Sequence, residues 1–226
     1  MIQNYFKIAW RNLVKNKAFS FINILGLAIG ISVCFIIMLY VQDELGYDKY
    51  NKKADRTFRI VFNALMNGGK INEPHVMPPV AKTLKQDYPE VEEATRLRGN
   101  GYPHVSINNK IFTDANMAMV DSNFFSVFTI PFLQGNEKTA LNQPNSVVIS
   151  RALAQKYFGA ENAVGKLINF KDWNAPPFRV TGVFDKVPSG SHFHFDMFAS
   201  LISDKEEKSN SWLSSGYFTY LVLKDG

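Results

Sequence analysis

The stretch Phe19–Val41, FSFINILGLAIGISVCFIIMLYV, decides how the rest of the chain is read. It holds 23 residues without a charge, and a helix rising about 1.5 Å per residue over that length crosses a hydrocarbon core of about 30 Å. Residues 19–41 are therefore predicted to form one transmembrane helix. The apolar part of a cleavable signal is shorter, about 7 to 15 residues, and leads to small residues at the cleavage point. Here the run ends on Tyr40 and Val41 instead. Core helices of soluble proteins are also much shorter than this. Cys34 lies mid-run behind Val33, where it reads as a buried apolar thiol and not as a lipid attachment point.

On the N-terminal side of the span stand Lys7, Arg11, Lys15 and Lys17 with no acid among them, while Asp43 and Glu44 follow it at once. By the positive-inside rule the N-terminus is expected in the cytoplasm and residues 45–226 on the far side. Residues 1–18 read as an amphipathic helix lying in the membrane interface. Tyr5, Phe6 and Trp10 recur at helical spacing with Ala9, Leu13 and Val14, whereas Lys7, Arg11 and Lys15 fall four apart on another face. The aromatic side would sink to the headgroup level and the basic side would meet anionic lipid. Within the span, Gly26 and Gly30 form a G-x-x-x-G pair that would let another helix approach closely.

Composition narrows the function classes. The 25 basic and 20 acidic residues look suited to a nucleic acid, but four of the bases precede the span and all of the acids follow it. The exported part is thus nearly neutral and lacks the basic stripe of a nucleic-acid binder. Its fold rests on a hydrophobic core, since the one cysteine lies inside the span and offers no disulfide framework.

Residues 42–56 read as a polar linker and 57–226 as a mixed α+β domain with room for two lobes. Thr57–Leu65 alternates like a strand, Gly68 and Gly69 make a turn, and Val80–Tyr88 has helical spacing closed by Pro89. Further strands are predicted at 91–98, 104–108, 111–112, 117–121, 146–149, 166–171, 178–184 and 217–223. Ser150 can cap a helix that stops at Gly159, and Asp121 or Ser122 can cap a short one over 123–128.

Two patterns invite a chemical reading. Gly159–Leu167, GAENAVGKL, resembles a phosphate-binding loop, but it has five residues between its glycines where four are needed, and Leu167 stands where a magnesium-binding Ser or Thr belongs. In Ser191–Asp196, SHFHFD, a strand would put His192, His194 and Asp196 on one face, the donor types of a zinc site. The other histidines, His75 and His104, have no motif around them to supply a third strong ligand, so a solvated face or a turn after Pro188 is the reading preferred.

The opening YFKIAWRNLVKNKAFSFINILGLAIGISVCFIIMLYVQDELGYDKYN resembles the N-terminus of the permease subunits of MacB-like and FtsX-like ABC transporters. Further matches are VDSNFFSVFTIPFLQGN at 120–136, SVVISRALAQKYFG at 146–159, VGKLI at 164–168 and VTGVFDKVPSGSHFHFDMFAS at 180–200. The resemblance spans nearly the whole chain and implies a bacterial inner-membrane permease whose periplasmic core domain follows the first transmembrane helix. It makes SHFHFD a recurring structural stretch of that domain. It further implies that a separate ABC ATPase binds the ATP, that this chain needs no cofactor and is no enzyme, and that it works beside a second permease copy. A periplasmic adaptor or substrate protein is an implied further partner. By the same resemblance the sequence corresponds to the first part of a longer permease, lacking the later spans. Two rival functions are a single-span extracytoplasmic binding or sensing module and a membrane-tethered metal hydrolase using His192, His194 and Asp196.

Overall fold

A computed structural model describes residues 2–66, 68–204 and 208–225. The chain divides into two units, the first ending at Tyr47 and the second beginning at Asp48. In the first, α1 (Ile2–Lys15) and α2 (Lys17–Gly46) are separated by the non-helical backbone of Asn16, at φ −108° and ψ 56°. The α2 helix is long and apolar enough to cross a membrane. It extends beyond the predicted span because Gln42, Asp43 and Glu44 are polar but helix-compatible. Their polarity marks where an apolar environment would end, whereas the helix itself runs on to Gly46.

The second unit is built on a large mixed sheet. Its elements in chain order are β1 (Thr57–Ile60), β2 (Phe62–Met66), β3 (Gly69–Glu73), α3 (Val80–Asp87), β4 (Val91–Gly101), β5 (Val105–Ile107), β6 (Lys110–Phe112) and β7 (Met117–Val120). There follow α4 (Phe124–Val127), β8 (Phe132–Gly135), β9 (Ser146–Ser150), α5 (Arg151–Phe158), β10 (Leu167–Phe170), β11 (Phe178–Phe184), β12 (Met197–Ser200) and β13 (Phe218–Leu223). The strands join in the order β1-β13-β4-β7-β12-β9-β11-β10-β5-β6, with β8 also paired to β11. The β7/β12 and β9/β11 pairs are parallel and the other pairs antiparallel. This is the mixed α+β architecture expected.

Two hydrophobic clusters sit on opposite faces of this one sheet, and side-chain alternation sorts residues between them. Met117, Met119, Val147, Ile149, Met197 and Ala199 enter one cluster, which α5 covers with Leu153 and Tyr157. Ala118, Val120, Val148 and Phe198 enter the other, where α4 contributes Phe124, Phe125 and Val127. The room for two lobes is thus taken by two cores about a shared sheet. The central strands β7, β9 and β12 are buried along their whole length, so both of their faces are apolar and no polar alternation marks them.

Several local expectations change. Thr57–Leu65 is not one strand: it breaks at Val61, where β1 stays on β13 and β2 leaves to form a separate hairpin with β3 around Gly68, at φ +78°. The Ser150 hydroxyl does accept from the Leu153 amide at 3.3 Å, capping α5, and Gly159 ends that helix at φ +64°. Asp121 does not cap α4 through its side chain. Its carboxylate accepts from the Arg96 amide at 2.7 Å and from Arg96 Nε and Nη2 at 3.0 and 2.8 Å, tying β4 to the end of β7.

Candidate functional site

The residues expected to face the membrane lie in the first unit, on the helical frame of α1 and α2. On α1, Tyr5, Phe6 and Trp10 stand exposed with Leu13 and Val14. At about 3.6 residues per turn they occupy roughly half the helix circumference, with Lys7, Arg11 and Lys15 on the remaining arc. On α2, a Cβ added at Gly26 or Gly30 would meet nothing within 4 Å, so the two glycines leave an open groove, flanked by Leu27, Ile31 and Phe35. Cys34 lies one turn further along the same groove.

The second unit opens with a constellation that sequence reasoning did not identify. Asp48 adopts φ +59°, a left-handed conformation that Asp and Asn tolerate better than most residues. This turns its amide onto the Gly190 carbonyl at 2.7 Å. Its carboxylate then receives the His192 amide at 3.3 Å and faces His192 Nδ1 at 2.6 Å. The other ring nitrogen, Nε2, lies 2.6 Å from the Tyr220 hydroxyl on β13. One neutral tautomer satisfies the whole chain of bonds: Nδ1–H donates to Asp48, and Nε2 accepts the Tyr220 proton. Burial pushes the Tyr220 phenol well above its ordinary range, which keeps that proton in place.

Neighbouring residues repeat the pattern. The Tyr50 hydroxyl donates to Ser191 Oγ at 3.0 Å, and burial raises this phenol too. Asn51 is buried; it donates to the Asp48 carbonyl at 3.1 Å and accepts from the Thr129 amide at 2.8 Å. Lys53 and Arg56 both bind the Glu92 carboxylate on β4, and Arg56 also donates to the Leu223 carbonyl at 2.8 Å. Hydrogen bonds from Lys53 and Arg56 hold the Glu92 carboxyl below its ordinary value of 4.5. Residues 48–56, read from sequence as part of a linker, are therefore fastened to the sheet and its loops. Beside them lies a cavity of about 270 Å³ lined by Asn51, Thr57, Arg59, Phe128, His192 and Tyr220.

The residues of the two chemical patterns are drawn apart by the fold. His192 is engaged with Asp48 and Tyr220, while the Asp196 carboxylate accepts the Asn116 amide at 2.9 Å. The Ser191–Asp196 stretch is a loop and not a strand, so the one-face spacing that would converge His192, His194 and Asp196 does not arise. Among the described residues no group of three potential metal ligands comes together. His104 instead meets Asp172 through Nδ1 at 2.9 Å, and His75 packs its ring 4.3 Å from that of Phe218. Gly159–Leu167 follows the C-terminus of α5, where carbonyls and not amides project, and Lys166 pairs with Glu161.

Comparison with known proteins adds to this geometry. Residues 20–226 match the family model of the MacB-like periplasmic core domain. The macrolide export ATP-binding/permease protein MacB of Aggregatibacter actinomycetemcomitans is 30% identical over 187 residues, covering 79% of this chain. The match takes in only 28% of that protein's length. A domain of a putative permease protein from Porphyromonas gingivalis superposes with a TM-score of 0.68 at 24% identity, over 78% of this chain and 76% of the other. The periplasmic region of MacB from Actinobacillus actinomycetemcomitans gives 0.54 at 19% identity, over 80% and 77%. The extracellular domain of the noncanonic ABC-type transporter YknZ from Gram-positive bacteria gives 0.52 at 15%, over 75% and 84%.

Proposed function

The chain belongs to the family of MacB-like periplasmic core domains, and from that premise we propose that it works as part of an ABC-transporter permease, transmitting force across a bacterial inner membrane. In this reading the N-terminus is cytoplasmic, α2 crosses the bilayer, and residues 45–226 are periplasmic. A separate ATPase binds ATP, and its closing and opening tilt α2 in each of two permease copies. The chemistry stays on the ATPase, so this chain carries force and no catalytic residue.

The observation that supports this best is the fastening of residues 48–56. A hinge of free linker would dissipate a tilt, whereas here the helix ends at Gly46 and the chain is bound to the core from Asp48 onward. Four separate attachments share the load: Asp48 to His192, Tyr50 to Ser191, Asn51 to Thr129, and Lys53 with Arg56 to Glu92. They reach β4, the 188–192 loop and the segment between α4 and β8, and Arg56 adds β13 through the Leu223 carbonyl, so the 48–56 segment is tied to the sheet and not to one loop. The α1 helix, by resting its aromatic side in the interface, would act as the fulcrum, with Gly26 and Gly30 as the close-approach face toward a neighbouring helix.

The test is a distance measurement in the assembled transporter. The full protein is purified from membranes with the ATPase that accompanies it, reconstituted in nanodiscs, and spin-labelled at Lys186→Cys in a Cys34→Ser background. Trapping with ATP and vanadate should shift the distance between the two labels relative to the nucleotide-free state. His192→Ala combined with Glu92→Gln should reduce that shift while ATP hydrolysis continues. A distance distribution indifferent to nucleotide would refute force transmission.

A further inference from the structure

A second cavity in the domain, of about 410 Å³, lies between loop residues 173–175 and residues 203–204. Its size falls in the range of small-molecule sites. One wall is apolar, made by Trp173, Phe178 and Met119, and the other is polar, with Asn100 and Ser203 beside the Arg98–Asp204 ion pair.

The apolar wall is held in advance of any ligand. Asp172 accepts the His104 amide at 2.7 Å and meets its ring at 2.9 Å, while the Lys171 amide donates to the His104 carbonyl at 2.9 Å. These bonds clamp the loop at its base. Phe170, outside the cavity, then backs the Trp173 ring at 4.7 Å between ring centres, and Phe178 meets it at 5.7 Å. A wall fixed in this way loses little entropy when a ligand is bound.

The polar wall holds a group that the fold leaves unsatisfied. Along the β4/β7 pair Gly99 stands opposite Ala118 and Gly101 opposite Met117, so Asn100 is the extra residue of a β-bulge. Its side-chain oxygen is buried and meets no hydrogen-bond donor among the described residues. A buried acceptor left without a donor is costly, and in a cavity wall it points to a partner supplied from outside. Ser203 Oγ accepts the Asn145 amide at 2.7 Å, which leaves its own proton to donate. Arg98 and Asp204 are already satisfied: they pair with each other and make further contacts, Arg98 with the Met119 sulfur at 3.9 Å and the Tyr217 ring at 5.6 Å. The charges of this wall are thus compensated, and an ionic ligand would find no counter-charge waiting.

We propose that this cavity binds a neutral pyranose sugar. One ring hydroxyl would donate to the Asn100 oxygen and another would accept from Ser203, while the C–H groups on one face of the sugar would lie on the indole of Trp173, whose ring face is negative. Hydroxyls suit this wall because they donate and accept at once and carry no charge. A purely apolar ligand would leave the Asn100 oxygen unsatisfied, and an ion would lose its hydration without gaining a partner. The proposal rests on this cavity alone and is independent of coupling to an ATPase.

Trp173 is one of three tryptophans, with Trp10 and Trp212, so Trp10→Phe and Trp212→Phe leave it as the sole reporter in the full chain, purified in lauryldimethylamine oxide to keep sugar headgroups out of the sample. Titration with D-glucose, D-galactose, D-mannose and N-acetyl-D-glucosamine should give a saturable fluorescence change with at least one of them. The alditol of the best binder, such as sorbitol for glucose, keeps the hydroxyls on an open chain without a ring face and should bind at least tenfold more weakly. Asn100→Leu should also weaken binding at least tenfold, yet leave the unfolding midpoint no lower, since it replaces an unpartnered buried amide with an apolar group of similar size. An Asn100 with a purely structural role would do the reverse, lowering the midpoint and sparing the affinity. Failure of all four sugars to saturate, equal binding of sugar and alditol, or undiminished binding by a natively folded Asn100→Leu protein would each overturn the proposal. Should that variant misfold, the comparison of ring and open chain in the parent protein still decides the matter.

Discussion

Asp48 and Gly135 show how single positions set the geometry of the domain. At Asp48 the left-handed backbone and the carboxylate are both used, and the two roles separate by substitution. Asp48→Asn keeps a residue that tolerates φ +59° and loses only the charge, whereas Asp48→Val adds backbone strain to the lost bonds. Removing the ring in His192→Ala leaves the carboxylate and the Tyr220 hydroxyl without their shared partner. Since the site is partly open to water, the expected loss is about 1–2 kcal/mol in denaturant unfolding of the full chain, with Asp48→Asn losing less than Asp48→Val. At Gly135, φ is +86°, and an added Cβ would stand inside contact distance of the Thr181 carbonyl and 2.8 Å from Gly182 Cα. Backbone on both sides leaves nothing to move aside. Gly135→Ala should therefore cost more than about 2 kcal/mol in the same measurement, through strain and overpacking where β8 lies against β11.

Between elements, the Glu92 link from the 48–56 segment to β4 makes stability depend on pH. Its carboxyl is held below 4.5 in the fold by Lys53 and Arg56. A carboxylate with a lowered folded-state value stabilises the protein above its ordinary value, and that contribution is lost as pH falls through the lower, folded value. Thermal unfolding of the parent and of Glu92→Gln should thus differ at pH 7 and converge on acidification below 4.5, while a gap that stays constant to pH 3 would remove Glu92 from this role. The same contrast of near and far contacts explains what the sequence revealed. The β9–α5 unit was legible because its cap, apolar run and terminal Gly159 are contiguous, and Ser150→Ala is expected to cost about 1 kcal/mol. β12 was not, since MFAS is four residues long, buried on both faces and without alternation. The fastened junction was equally hidden, because Asp48 meets a histidine 144 residues away, and only proximity in the fold distinguishes that histidine from a surface or metal-binding one.

For the whole molecule the decisive question is which side of the membrane each unit occupies. Lys7, Arg11, Lys15 and Lys17 precede the span, but Lys49, Lys52, Lys53, Arg56 and Arg59 follow it closely. Local counts of Lys and Arg are therefore similar at the two ends, and the charge rule is weakened further because long domains cross the membrane largely regardless of their charge. What favours export of the second unit is its membership of a periplasmic domain family. Leu213 is 99% exposed and Asn12 on α1 is exposed as well, so cysteines placed there report on the two sides without disturbing a core. In a Cys34→Ser background, a membrane-impermeant maleimide added to intact spheroplasts should label Leu213→Cys at once and Asn12→Cys only after the membrane is permeabilised. The reverse order would put the fastened junction on the cytoplasmic side, where a force relayed by α2 to residues 48–225 could not act in the periplasm, and the permease reading would fail with it.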